Sequence, residues 1–198
     1  MNTSGWQQTP ASAEVTEVKS ELNVPLPQLA DAFVALLEIK APGFASLLKK
    51  DKVISIHYQD RYLKSPWNVM VLMAFLEAFR NDQTKHVVLE TVADNSNSSS
   101  HLLWHNWPDI YEMQQTVTKW IQLRYELKPS IEIHNRTSDL THRRILTLEF
   151  ASGAKWKLAF DQGMGYWEAS TFNRDNNGFD FNLDAEGQLA RILNICQI

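Results

Sequence analysis

The chain has 198 residues, 44% of them apolar and 21% charged, which suits one folded domain with a full core and is too short for two ordinary ones. Its formal net charge of -4 excludes broad electrostatic adhesion to nucleic acid or to an anionic membrane, so any anion site has to be local. The single Cys196 excludes an internal disulfide, and no apolar run reaches membrane-spanning length. The polar start lacks a secretory pattern, which makes the cytoplasm the expected compartment.

Residues 1–23 are rich in Ser, Thr, Gln and Glu with no apolar period; they read as a flexible leader or linker, leaving 24–198 as the domain. From Pro25 onward Leu26, Leu29, Phe33, Leu36 and Leu37 recur at helical spacing, and a second short helix is expected at 44–50, after Pro42-Gly43. Val53 to Ile56 is a short apolar strand that delivers the chain into His57-Tyr58-Gln59-Asp60-Arg61-Tyr62. Ser65-Pro66 has the form of a helix cap followed by a first-turn proline, and the helix expected over 66–80 is apolar almost all round, hence buried on several sides. A strand at 86–92 completes a right-handed βαβ unit with parallel strands. The polar tract 94–100 is an exposed loop. A long amphipathic helix over 108–127 directs Ile110, Met113, Val117, Trp120, Ile121 and Leu123 towards the sheet, and 131–134 is a further strand. The last third alternates: 144–150 and 155–160 form a hairpin turning at Gly153, with more strand at 178–183 and 190–198. The sum is an α/β fold, a mixed sheet flanked by helices with an antiparallel C-terminal half.

Charged groups gather where these strands end. Asp60 and Arg61 emerge at the C-terminal end of a buried strand, beside the N-terminus of the helix that Ser65 caps; free N–H groups and a guanidinium there suit a phosphate or carboxylate. The same two residues would equally serve as an internal pair that fixes the loop. His142-Arg143-Arg144 opens an alternating strand, so His142 and Arg144 should share a face, although a basic triplet is often merely solvated. Asp161, followed by Gly163 and Gly165, is placed to orient His142 through its ring N–H. No metal and no cofactor are expected: the six His are scattered, and His101 and His105, one helical turn apart, lack a third ligand. Cys196 has no basic neighbour to activate it, and no P-loop, nucleophile-elbow or kinase signature is present.

The order of these segments carries a resemblance. Ile54-Ser55-Ile56-His57-Tyr58-Gln59-Asp60-Arg61-Tyr62-Leu63-Lys64-Ser65-Pro66, a buried helix, a Val87-Val88-Leu89-Glu90-Thr91 strand, His142-x-Arg144, the Gly153 hairpin and Asp161-x-Gly163 resemble the phospholipase-D-like domain of the MIT C-terminal type. The likeness is closer to the version that ends some bacterial DEAD/DEAH-box helicases of anti-phage defence systems. It implies a phospholipase-D-like sandwich over 25–198. Active members carry His-x-Lys with a downstream Asp, usually twice. Here no His is followed two residues later by Lys, and the nearest forms are His134-Asn135-Arg136 and His142-Arg143-Arg144. The resemblance therefore implies a non-catalytic phosphate or nucleic-acid-binding module, with DNA or RNA and a helicase or other defence subunit as partners and no membrane. Arg61, His142 and Arg144 grip the phosphate, and Asp60, Tyr62, Ser65 and Asp161 complete the site. Two other functions stay open: a metal-independent phosphodiesterase or nuclease using His142, oriented by Asp161, and a pure protein-interaction domain.

Overall fold

The computed structural model describes residues 14–20, 22, 24–63, 65–93, 107, 109–161, 164 and 191–198. Its centre is a seven-stranded mixed sheet. The strands are β1 (Val15–Ser20), β2 (Val53–Gln59), β3 (His86–Val92), β4 (Ser130–His134), β5 (Arg144–Phe150), β6 (Lys155–Phe160) and β7 (Arg191–Gln197), and the spatial order is β1-β7-β6-β5-β2-β3-β4. Among the described residues four α-helices accompany them: α1 (Leu29–Lys40), α2 (Pro42–Lys50), α3 (Pro66–Leu76) and α4 (Ile110–Tyr125). β2, β3 and β4 run parallel, whereas β5, β6, β7 and β1 add to β2 in antiparallel fashion. An α/β front half and an antiparallel back half thus share one sheet, as the alternation of the last third predicts.

Each helix begins or ends on a recognisable local signal. Ser65 caps α3, its hydroxyl accepting from the Asn68 N–H at 3.2 Å, and Pro66 occupies the first turn where no N–H is needed. Asp109 caps α4 by accepting from Glu112 N–H at 2.8 Å. Between β5 and β6, Gly153 takes φ +88°, a conformation that side chains resist, and its N–H closes the turn on the Phe150 carbonyl.

The crossovers through α3 and α4 advance in one direction along the sheet, so the right-handed rule puts both helices on the same face. Aromatic contacts agree. Phe75 of α3 meets Phe160 of β6, and Phe44 of α2 meets Phe150 and Trp156. Phe33 stacks α1 on Phe75 edge-on, and Tyr125 at the end of α4 donates to the Leu76 carbonyl. Among the described residues the helices collect on this one face, where Ile56, Tyr58, Leu89, Leu146, Leu148 and Leu158 are buried. α3 is buried on several sides, with Val69, Val71, Leu72, Phe75 and Leu76 at 0–1% exposure, while Met70 faces outward at 41%.

Three expectations meet a different outcome. Val15–Ser20 falls inside the stretch read as a leader, yet it is the edge strand β1, paired with β7 from Val15↔Cys196 to Ser20↔Arg191; a polar edge strand that buries little beyond Val18 leaves no apolar period to read. On α4 the buried stripe is Met113, Val117 and Ile121, while Leu123, expected to face the sheet, is 71% exposed and Ile110 lies at the exposed first turn. The helix expected to reach residue 80 tightens into a 3₁₀ turn at Glu77–Phe79. The loop expected at 94–100 and the strand at 178–183 lie outside the described residues.

Candidate anion-binding site

Period-two alternation along β2 aims Tyr58 and then Asp60 towards the helix side, and both are fully buried. Asp60 sits just past the end of the strand, where its N–H donates to the Glu90 carbonyl of β3 at 3.0 Å. Its carboxylate accepts from the Tyr58 hydroxyl at 3.0 Å and from the Tyr62 N–H at 2.8 Å. Burial holds the Asp60 carboxyl above the ordinary carboxylate range, with the Tyr62 N–H, Arg144, the Tyr58 hydroxyl and His142 pulling the other way. Burial, with the Asp60 charge behind it, drives the Tyr58 hydroxyl well above its usual value, so it remains a donor.

The basic half arrives on β5. Arg144 Nε lies 3.6 Å from Asp60 Oδ1, a charge pair too long for a hydrogen bond, and Nε has no hydrogen-bond partner of its own. The guanidinium is instead held by an Nη1 donation to the Asp161 carbonyl at 3.1 Å and by its place 5.2 Å over the Tyr62 ring. Tyr62 also packs edge-on against the His142 ring, with its hydroxyl 3.3 Å from His142 Nε2. His142 and Arg144 therefore converge on one aromatic ring, as their spacing predicts. Beside them opens a cavity of about 240 Å³, lined among the described residues by His142, Arg143, Arg144, Ala159, Phe160, Asp161 and Asn194. It lies where β5 begins and β6 ends, beside β7, in the antiparallel half of the sheet.

Of the residues singled out from sequence, the structure brings Asp60, Tyr62, His142, Arg144 and Asp161 together. Asp60 is a buried support for Arg144 and is not open to a ligand. Arg61 points elsewhere: its Nε donates to the Leu140 carbonyl at 2.5 Å, pinning the loop that leads to His142. Ser65 spends its hydroxyl on the α3 cap, and Asn68 of that helix donates to the Tyr62 carbonyl at 3.1 Å. Gly163 and Gly165 lie outside the described residues. Sequence reasoning missed Tyr58, which the i, i+2 relation to Asp60 could have flagged, and Asn194, which only the pairing of Ala159 with β7 brings to the cavity. Groups able to hold a cation lie apart, on the opposite face of the sheet: Glu90, Glu132 and His134. Among the described residues no helix is long and apolar enough to cross a membrane.

A family profile described as the C-terminal domain of the DEAD/DEAH-box helicase YjiV matches residues 12–198. The chain belongs to that family. It is thus a helicase C-terminal domain, and the match takes in β1 together with the rest of the sheet. No curated protein matches the sequence. Among solved structures the chain is similar to a mutant of yeast tyrosyl-DNA phosphodiesterase 1, with a TM-score of 0.35 and 8% identity; the match covers 76% of this chain and 27% of that one.

Proposed function

We propose that this helicase C-terminal domain is a non-catalytic module of phospholipase-D-like descent, the MIT C-terminal type, that grips a phosphate of DNA or RNA through His142 and Arg144, with Arg61 positioning their loop. The observation that carries the reading is the open cavity lined by His142-Arg143-Arg144 at the strand ends, a local basic cluster in a chain of net charge -4. Several features support a grip over a catalyst. His142-x-Arg144 replaces the His-x-Lys of active members, and His142 Nε2 has the Tyr62 hydroxyl 3.3 Å away as its neighbour. Arg is the better phosphate fork, since its planar donors pair bidentately with oxygens. In this reading the parent is a bacterial anti-phage helicase acting in the cytoplasm, and the module holds the polymer while the motor works on it.

The test is fluorescence anisotropy of labelled single-stranded DNA, duplex DNA and RNA with rising salt. The expected result is binding that weakens with salt, with His142→Ala and Arg144→Lys each costing about tenfold, or about 1.4 kcal/mol, and unchanged substrate after long incubation. Absence of binding at low salt, or affinity indifferent to both substitutions, removes the proposal. Cleavage that vanishes in His142→Ala would establish the phosphodiesterase reading instead.

A further inference from the structure

We propose that His57, Glu90, Glu132 and His134 form a site for a divalent cation of borderline softness, zinc being the natural occupant, on the sheet face away from the helices. The four residues come from three adjacent parallel strands. Glu90 is in register with Glu132 across β3 and β4, and Val92 with His134; Gln59 of β2 is in register with Glu90, which sets His57 diagonally beside it. Alternation turns all four to the same side, opposite the buried Ile56, Tyr58 and Leu89.

Three features of the geometry point to a shared ion. His57 Nε2 is 2.5 Å from Glu90 Oε1 and His134 Nε2 is 3.3 Å from Glu90 Oε2, so both imidazoles aim the same nitrogen at one carboxylate. The ligand atoms of Glu90, Glu132 and His134 lie within 4.8 Å of one another, a span that a small rotation closes to the ~3.3 Å between donors around a tetrahedral ion with ~2.0–2.1 Å bonds. His57 Nε2, despite its closeness to Glu90, is not aligned for a hydrogen bond and has no other partner, although no solvent reaches it. Without an ion, His134 Nε2 shares a hydrogen bond with Glu90 Oε2, and a cation would take the place of that proton, with the His57 ring drawing back from Glu90 to the ~3.3 Å spacing of two ligands. The side-by-side carboxylates add a further argument. Like charges directly opposite on neighbouring strands destabilise a sheet, and a divalent cation between Glu90 and Glu132 reverses that sign. Glu90, Glu132 and His134 supply three ligands, and with His57 drawn in beside Glu90 as the fourth no coordination position would stay open, so the ion would clamp β2, β3 and β4 and do no chemistry.

The experiment uses the chain freed of metal with a chelator, titrated with Zn²⁺ by calorimetry and with Co²⁺ by visible absorption. The expected outcome is one equivalent bound, a tetrahedral Co²⁺ band, and a melting temperature raised by about 5–10 °C at a hundredfold excess over Kd. Glu90→Gln, which preserves shape, and His134→Ala should each weaken binding by more than about 100-fold, beyond the loss typical of a residue that only supports a ligand. Circular dichroism checks that each variant folds. Replacing both His101 and His105 by Ala should leave binding intact. Failure to reach saturation near one equivalent, binding that survives Glu90→Gln in folded protein, or loss on replacing His101 and His105 would each overturn the assignment.

Discussion

Asp60→Ala should cost about 3–5 kcal/mol, the range for removing one member of a buried ion pair. The figure can be built from the contacts. Tyr58 Oη and Tyr62 N–H both lose their acceptor, and each orphaned buried donor costs about 1–3 kcal/mol. Arg144, with 14% of its side chain exposed, loses its nearby charge as well. Tyr58→Phe alone removes a donor and leaves the carboxylate its Tyr62 contact, a loss of about 1 kcal/mol. In the double variant no buried hydroxyl is left unpaired, so the two changes should cost less than their sum by about 1–2 kcal/mol, within the range for residues in contact. Urea unfolding followed by tryptophan fluorescence gives all four corners of the cycle, and for a chain of this length Asp60→Ala should lower the melting temperature by about 6–20 °C. A cost below about 1 kcal/mol for Asp60→Ala, or strict additivity with Tyr58→Phe, would refute the view that this carboxylate organises the site.

Two further outcomes follow from the same region. Ser65→Ala removes the α3 cap and should cost about 1 kcal/mol, measured by urea midpoint, while Ser65→Thr should be nearly silent. The pH dependence has a definite sign. Because burial raises the folded-state value of Asp60 above 3.8, its contribution is most favourable below that pH and declines as pH rises through the raised value. The stability of the native chain minus that of Asp60→Asn should therefore fall as pH rises from 3.8 through the raised value, and a difference that grows as pH rises from there would contradict the assignment.

How much of this was legible in the sequence depends on how local the cause is. Helix α3 announces itself through Ser65, Pro66 and an apolar run, and the β5–β6 hairpin through Gly153 and alternation, because caps and turns are set by near neighbours. The convergence of His142 and Arg144 was legible for the same reason, since period two fixes their shared side. What stayed hidden was set by pairing across the chain. Arg61 looked like a phosphate fork until the Leu140 carbonyl, 79 residues away, took up its Nε. β1 carries a pattern too polar to read, and it exists because β7 offers an edge. His57, Glu90 and His134 share no spacing motif, and only the parallel register of three strands makes them neighbours.

Glu90 connects the two faces of the sheet. Its side chain faces the imidazoles of His57 and His134, while its backbone carbonyl accepts the Asp60 N–H that sets the buried carboxylate under Arg144. The peptide group survives any side-chain change at that position, so Glu90→Gln alters the cation ligands without withdrawing the support from Asp60. β2 divides its labour in the same way, with His57 on the open face and Tyr58 and Asp60 on the helix side. A cation clamping β2 to β3 would stiffen the strand end from which Asp60 emerges, while none of its ligands is among the residues that line the cavity beside Arg144. Its effect on phosphate binding would then come through the rigidity of the Asp60 end and not through direct attraction, which separates it from the salt-sensitive pull of His142 and Arg144.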